Sequence, residues 1–532
     1  MKTFKLFILG ISAVVTSCNG IGWQKDQSIS GYDDGRGVSH EMIVLGEQLE
    51  DPYSLSNVTK AIASLYPTKA GVVELEATDY YVRLLPRSSD DLRLLEKMGV
   101  QMMGHPLDYR IVEEGDYYHD PQIAEGNVTW QYAVVPPDFV APEGVKCELL
   151  HKCYLAESET ATKAGLEWID WDAVEEEAFR LTGNEDMLAE VATKGKEKKE
   201  AKVPSGRITI IDEDYSDQPI GVSGVQVSCN VFVKFDRCYT DEAGYYTMRK
   251  SFKSKPRYRL VFTNSKGFTQ GINAIFVKGS LSTLGKHDPE GYSICVTEAS
   301  EGKLFKRCAI NNAAYDYYQS CASNGVKIKT PPANLTIWTF SLMETSASLM
   351  LHQGAILDID LLKDLIGAYT PVVKLFMPDI ILGTKNHEKY SSIYHLVQHE
   401  LAHASHYMQV GNKYWDAYSL MILSSYLSSG GVTYGTGAEE DAGYCEVGET
   451  WAYYVENILY RQRYNDASRV FGDRYWFHPE ILIYMDNRGL NRFKIFAALT
   501  SDVHSRETLR SRLLALYPEC KSVINEAFNR YL

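Results

Sequence analysis

His399-Glu400-Leu401-Ala402-His403-Ala404-Ser405 is the stretch on which the reading of the chain turns. Positions four apart on a helix lie one above the other on the same face. His399 and His403 would therefore offer two imidazole nitrogens to one tetrahedral ion, and zinc is the ion such a pair suits. Glu400, beside them, can take a proton from a zinc-bound water, a role that a binding-only scaffold would not need. The flanks support a helix: Ile393, Leu396, Val397, Leu401 and Tyr407 recur at helical spacing, and Gly411 is a natural stop. His406 follows one turn later, but a helix rises about 10 Å over seven residues, so His399, His403 and His406 cannot share one ion. His406 is expected behind the ligands or in the cleft.

Around this stretch, residues 285–532 have the pattern of a mainly helical unit with a small mixed sheet. Asn311 to Ala322, Trp415 to Leu427 and Glu446 to Tyr460 read as helices, and Gly354 to Ile359 and Pro378 to Gly383 as strands. Ser428-Ser429-Gly430-Gly431, with Gly435 and Gly437, reads as a flexible loop able to rim a cleft. A sheet that supports a His-Glu-x-x-His helix resembles the zincin plan. The metzincin branch would need glycine at 406 and histidine at 409, where this chain has His406 and Gln409. The segment instead resembles gluzincins, on His399, Glu400, His403 and the Glu449-Thr450-Trp451-Ala452 sequence downstream.

That resemblance implies a zinc metallopeptidase. Two histidines and one glutamate would hold Zn2+, with water at the fourth position and Glu400 as general base. It also implies a tyrosine or histidine that steadies the oxyanion, with Tyr453, Tyr454, His478, Tyr484 and His504 all open. Two carboxylates compete for the third ligand position. Glu446 and Glu449 sit three apart and can point the same way. Glu449 is chosen for its family-like continuation, with small Ala452 allowing close helix approach and an aromatic-apolar run, Trp451 to Leu459, behind it. Glu446, at the helix start, reads as a dipole-favoured surface carboxylate. The aspartate that the family often places four residues after the ligand is Tyr453 here.

Upstream, residues 204–280 switch to a period of two, with Val225, Val227, Cys229, Val231 and Val233 on alternate positions. Pro219 to Val227, the Thr240-Asp241 to Gly244-Tyr245-Tyr246 turn and Gly267-Phe268 resemble the carboxypeptidase regulatory-like (prealbumin-like) domain family. The resemblance implies an accessory all-β sandwich without chemistry of its own. Cys229 and Cys238 flank a short connection there and could bridge neighbouring strands, or Cys229 could be a buried free thiol. Residues 157–203 read as a spacer: an amphipathic helix near Trp168 to Leu181, then a charged linker from Lys194 to Glu200. Residues 40–156 read as an N-terminal α+β domain. Val72 to Leu75, Tyr80 to Leu85 and Trp130 to Val135 are its expected strands, and Asp90 to Met98 its helix. No catalytic constellation is legible in it. The Gly115 to Pro121 run reads as a binding loop or a satisfied turn.

Residues 1–18 read as an export signal, with Lys2 and Lys5 ahead of an apolar run too short to span a bilayer. Val15-Thr16-Ser17-Cys18 resembles the lipobox of bacterial lipoproteins, which implies a lipidated Cys18, an exported protein and attachment to a bacterial membrane, the outer membrane foremost. Residues 19–39 would be the tether. The net charge of −15 excludes nucleic acid as a partner, since that needs clustered Lys and Arg. Nine cysteines follow Cys18, so not all can pair, and only a few are expected in disulfides. The expectation is therefore a multidomain α+β, lipid-anchored zinc peptidase acting on a protein or peptide substrate. The alternative is a non-catalytic substrate- or glycan-binding lipoprotein on the same scaffold.

Overall fold

Helices and strands arise where the sequence periods demand them. The computed structural model describes residues 42–531 except 70, 72, 116–117, 125–127, 159, 162–164, 189–199, 272–280, 300–301, 324–325, 341–345, 349, 351–352, 355–378 and 429–433. The expected export signal, Cys18 and tether lie outside the described residues. So do most of the charged linker, all but the first residue of the strand at 354–359, and part of the glycine loop after Ser428. The protein is multidomain, with several sheets, eleven helices among the described residues and a helical C-terminal region. None of these helices is long and apolar enough to cross a membrane.

In the N-terminal region Asp79–Leu85 is an inner strand of a four-stranded antiparallel sheet, flanked by Gln131–Val135 and Lys146–Cys153. Helix α1 (Leu55–Leu65) is capped by Ser54, whose hydroxyl accepts from Asn57 N–H, and helix α2 (Ser89–Lys97) is capped by Ser88. Val58, Ala61 and Ile62 of α1 pack with Val174 and Ala178 of α3 (Trp171–Leu181). Of the expected strand at Val72–Leu75, the described residues 73–75 are not in a strand. Val73 and Leu75 instead lie against that helix pair, and hydrophobic packing rather than a ladder accounts for their apolar character.

The longest sheet crosses from the valine-rich strands to the C-terminal region. Its order begins with Lys234–Tyr239, Val225–Val231 and Arg257–Asn264, all antiparallel, with Leu281–Lys286 also pairing with the last of these. It continues through Thr269–Gly271 into the parallel strands Thr336–Phe340 and Ile380–Gly383 and ends on the antiparallel strand Ala347–Ser348. Backbone hydrogen bonds thus join the valine-rich segment directly to the segment that carries His399. All seven residues of Val225–Val231 are buried, so this strand is covered on both faces. The nine described cysteines are free. Cys229 and Cys238 form no bridge: Cys229 pairs in register with Asp236 and Cys238 with Val227, and the Cys238 sulfur lies 3.6 Å from that of Met248.

Helix α4 (Gly302–Ser320) starts nine residues before its predicted start but stops two before Ala322, which is in a strand. Helix α5 (Tyr390–Val410) carries the His399 motif, and α6 (Asn412–Ser428) and α7 (Ala442–Tyr464) extend beyond their sequence-predicted bounds at both ends. Four short helices follow: α8 (Glu480–Asp486), α9 (Arg492–Ala498), α10 (Arg506–Leu516) and α11 (Lys521–Arg530). Helix α5 is buried on most of its circumference, as a helix packed from several sides must be. Gly411 ends it at φ 80°, with its N–H bonded to Tyr407 O. Two tryptophans fix its neighbours. Trp451 of α7 donates to Ala402 O at 3.1 Å, and Trp415 of α6 donates to Ser348 O at 3.2 Å. These bonds tie α7 to α5, and α6 to the sheet edge.

Candidate metal centre

Helix α5 presents His399 and His403 one turn apart, and α7 crosses over them carrying Glu449. His399 Nε2 and His403 Nε2 are 3.2 Å apart. The Glu449 carboxylate stands 3.5 Å from the first, through Oε2, and 3.4 Å from the second, through Oε1. Donors bound at about 2.0–2.2 Å in a tetrahedron are separated by about 3.3–3.6 Å, so the three side chains lie close to the spacing of ligands of one ion. All three are almost wholly buried, and among the described residues Glu449 Oε2 has no hydrogen-bond donor. A buried carboxylate oxygen without a donor is costly unless a cation supplies the partner. The donor set therefore fits a metal ion. Glu446 does not reach it: its carboxylate bonds Arg506 through both the backbone N–H and the guanidinium.

The supporting groups fix these ligands. His399 Nδ1 lies 2.9 Å from Glu456 Oε2, and His395 Nδ1 lies 2.8 Å from Glu456 Oε1. A proton on His399 Nδ1 leaves Nε2 with its lone pair toward Glu449 and His403. The Tyr418 hydroxyl donates to Glu449 Oε1 at 2.5 Å. Burial disfavours the Glu449 anion, yet the nearness of His403 and His399 outweighs it and holds the carboxyl below the usual range. His403 Nδ1, by contrast, has no hydrogen-bond partner among the described residues.

Glu400 faces the same space from the other side. The Ser348 hydroxyl lies 2.8 Å from both Glu400 Oε2 and Glu400 O. Burial raises the Glu400 carboxyl above its ordinary value, with His399 and His403 opposing. A cleft of about 310 Å³ opens beside it, lined by Ser346, His387, His395, His399, Glu400 and Tyr453 among others. Of the five tyrosines and histidines open as oxyanion helpers, Tyr453 alone lines this cleft, its ring 4.4 Å from that of His399. Tyr454 is buried beside Asp486, the Tyr484 hydroxyl bonds Glu526, His478 lies over Tyr531 and His504 stacks on Tyr444. His406 lies neither in the cleft nor in hydrogen-bond contact with the ligands. It is buried against Tyr414 and Trp415, among the described residues neither ring nitrogen has a partner, and burial pushes it down to about 3.

Sequence reasoning missed Glu456, Tyr418 and Ser348. Glu456 was findable, because it lies seven residues after Glu449 and so returns to nearly the same helix face. Ser348 carries no local signal, since a two-residue strand far from the motif delivers it. A second grouping with metal-ligand chemistry, Asp51, His151 and Cys153, lies in the N-terminal region. There Asp51 already serves His151 Nε2 at 2.8 Å and the Tyr53 N–H at 2.8 Å. No protein-family model, curated protein or solved structure matches the chain.

Proposed function

We propose that this chain is a zinc-dependent peptidase of gluzincin type, with Zn2+ held by His399, His403 and Glu449 and with Glu400 as general base. The single observation that carries the reading is the convergence of both imidazole Nε2 atoms and the Glu449 carboxylate on one buried point, with Glu400 beside them. Zinc in that position supplies Lewis-acid activation of water and of the scissile carbonyl. Glu400 accepts the proton of the attacking water and later delivers it to the leaving amine. Its upward-shifted carboxyl suits both halves of that exchange. Ser348 holds the carboxylate in place through Oε2. Glu456 keeps His399 in the tautomer that binds metal, and Tyr453 is the side chain available to steady a developing oxyanion.

A peptide is the substrate class that suits the surroundings. Ala347–Ser348 ends the long sheet, and an extended chain laid along such an edge would pass next to Glu400. In this reading residues 285–532 form the zincin-like catalytic unit, residues 204–280 an accessory β-sandwich and residues 40–156 an α+β domain. Residues 1–18 export the protein, and Cys18 anchors it by lipid to a bacterial membrane. Hydrolysis of casein or a mixed peptide library, with and without a zinc chelator, tests the proposal. Chelator-sensitive cleavage that is lost in Glu400→Gln supports it. Metal-loaded protein without cleavage in any such assay favours the binding-scaffold reading instead.

A further inference from the structure

Far from the metal centre in sequence, strand Arg257–Asn264 carries cations on alternate positions, and Lys255 continues the same period. They face a cavity of about 290 Å³ between this strand and the His105–Ile111 segment of the N-terminal region. Arg110, Lys255, Arg257, Arg259 and Lys286 all line it, and among the described residues no carboxylate does. Some have carboxylates at the rim: Arg110 meets Glu47 at 3.1 Å, Lys255 meets Asp288 at 3.9 Å and Arg257 meets Glu114. Arg259 does not. It is 2 % exposed, and its guanidinium donates to Asn230 Oδ1 at 2.6 Å and to His105 Nε2 at 3.2 Å.

Both of these partners are neutral. His105 Nδ1 is 2.7 Å from Pro106 O, which places its proton there and leaves Nε2 as an acceptor. Burial, with Arg259 and Arg257 nearby, pushes His105 down to about 3, so it stays uncharged. Among the described residues Arg259 thus holds a buried full charge with no counter-charge, and burial and Arg257 depress it to about 9. An unpaired buried cation costs a protein stability. When it lies in a cavity beside further cations, an anionic ligand is the arrangement that offsets that cost. Leu49, Ile111, Met187 and Phe232 make up an apolar part of its lining.

We infer that this cavity binds a small molecule through a phosphate or sulfate group, seated on Arg259 and Lys286 with its organic part against the apolar lining. Guanidinium forks match tetrahedral oxyanions in shape and charge. The cavity is too small for a folded partner, and its walls come from two regions, so ligand binding would also clamp the N-terminal region onto the sheet. This gives the N-terminal region a role that is independent of the peptidase reading.

The test uses the full chain treated with chelator, so that anions at the metal centre cannot report. Thermal unfolding and calorimetric titration are run with inorganic phosphate and, separately, inorganic sulfate, each against chloride at matched ionic strength. The expected result is a saturable rise in Tm with at least one of the two, and the stronger arm identifies the group. Arg259→Met should abolish the rise while unfolding at or above the wild-type temperature without anion, because a buried unpaired charge has been removed. Lys286→Met, at the cavity wall, should weaken binding at least tenfold and carries the test if the first variant fails to fold. The absence of a saturable response to both anions overturns the inference, as does an undiminished response in the variants.

Discussion

Glu456 is the residue on which the metal centre depends without its being a ligand, and Glu456→Gln isolates that dependence. Its carboxylate is 3 % exposed and holds two imidazoles, His399 Nδ1 at 2.9 Å and His395 Nδ1 at 2.8 Å. Glutamine fills the same volume, but its amide offers one neutral oxygen and one NH2. One imidazole keeps a weaker acceptor while the other meets a donor. Hydrogen bonds to a charged group contribute about 1.5–3 kcal/mol each, so the loss falls directly on the orientation and basicity of His399. Changes of this kind lower metal affinity about 10–100-fold, or about 1.4–2.7 kcal/mol. Competition for zinc against a chromophoric chelator at neutral pH reads the change, with circular dichroism to establish that the fold is intact. A folded Glu456→Gln protein that binds zinc within twofold of wild type would refute the assigned role of this carboxylate.

Glu400→Gln should keep its zinc and lose hydrolysis by at least about 10²-fold, the usual contribution of a positioned base, in a peptide-cleavage assay with metal content measured on the same sample. Asp379 is buried, with Thr336 N–H and Oγ1 bonding its Oδ2, and burial raises its carboxyl to about 6. A carboxyl raised in the folded state contributes stability at low pH that is lost as pH climbs through its folded value. Unfolding free energy should therefore fall by up to about 3 kcal/mol between pH 4 and pH 7 on account of this group. Urea denaturation at the two pH values should show that slope removed in Asp379→Asn; an unchanged slope rejects the assignment. Cys18→Ser should release the protein from the membrane fraction, and a variant that still pellets after alkaline washing would remove the lipid-anchor reading.

What the sequence made legible was local. The spacing of His399 and His403, the apolar flanks and Gly411 define a helix from within one window, and α5 covers it. The choice of Glu449 over Glu446 also came from the neighbouring residues, and in the structure Glu449 is the one that meets both histidines. What stayed hidden depends on long-range pairing. The parallel ladder from Thr269–Gly271 to Thr336–Phe340 joins segments with no shared signal, so the continuity of the sheet across residues 280–285 could not be read. Ser348 comes from the edge of that same sheet. Two signals were present but unread: Glu456 at one helical repeat beyond Glu449, and Lys255, Arg257 and Arg259 at strand period on one face. The open pairing of Cys229 with Cys238 turned on a register offset of two residues, which spacing alone does not specify.

The most direct test of the central claim is the zinc content, by elemental analysis, of the purified wild type, Glu449→Ala and Glu446→Ala. One zinc per chain is expected in the wild type and in Glu446→Ala, whose carboxylate serves Arg506, and none in Glu449→Ala. A wild-type protein without stoichiometric zinc, or a Glu449→Ala protein that retains the metal while Glu446→Ala loses it, would contradict the account.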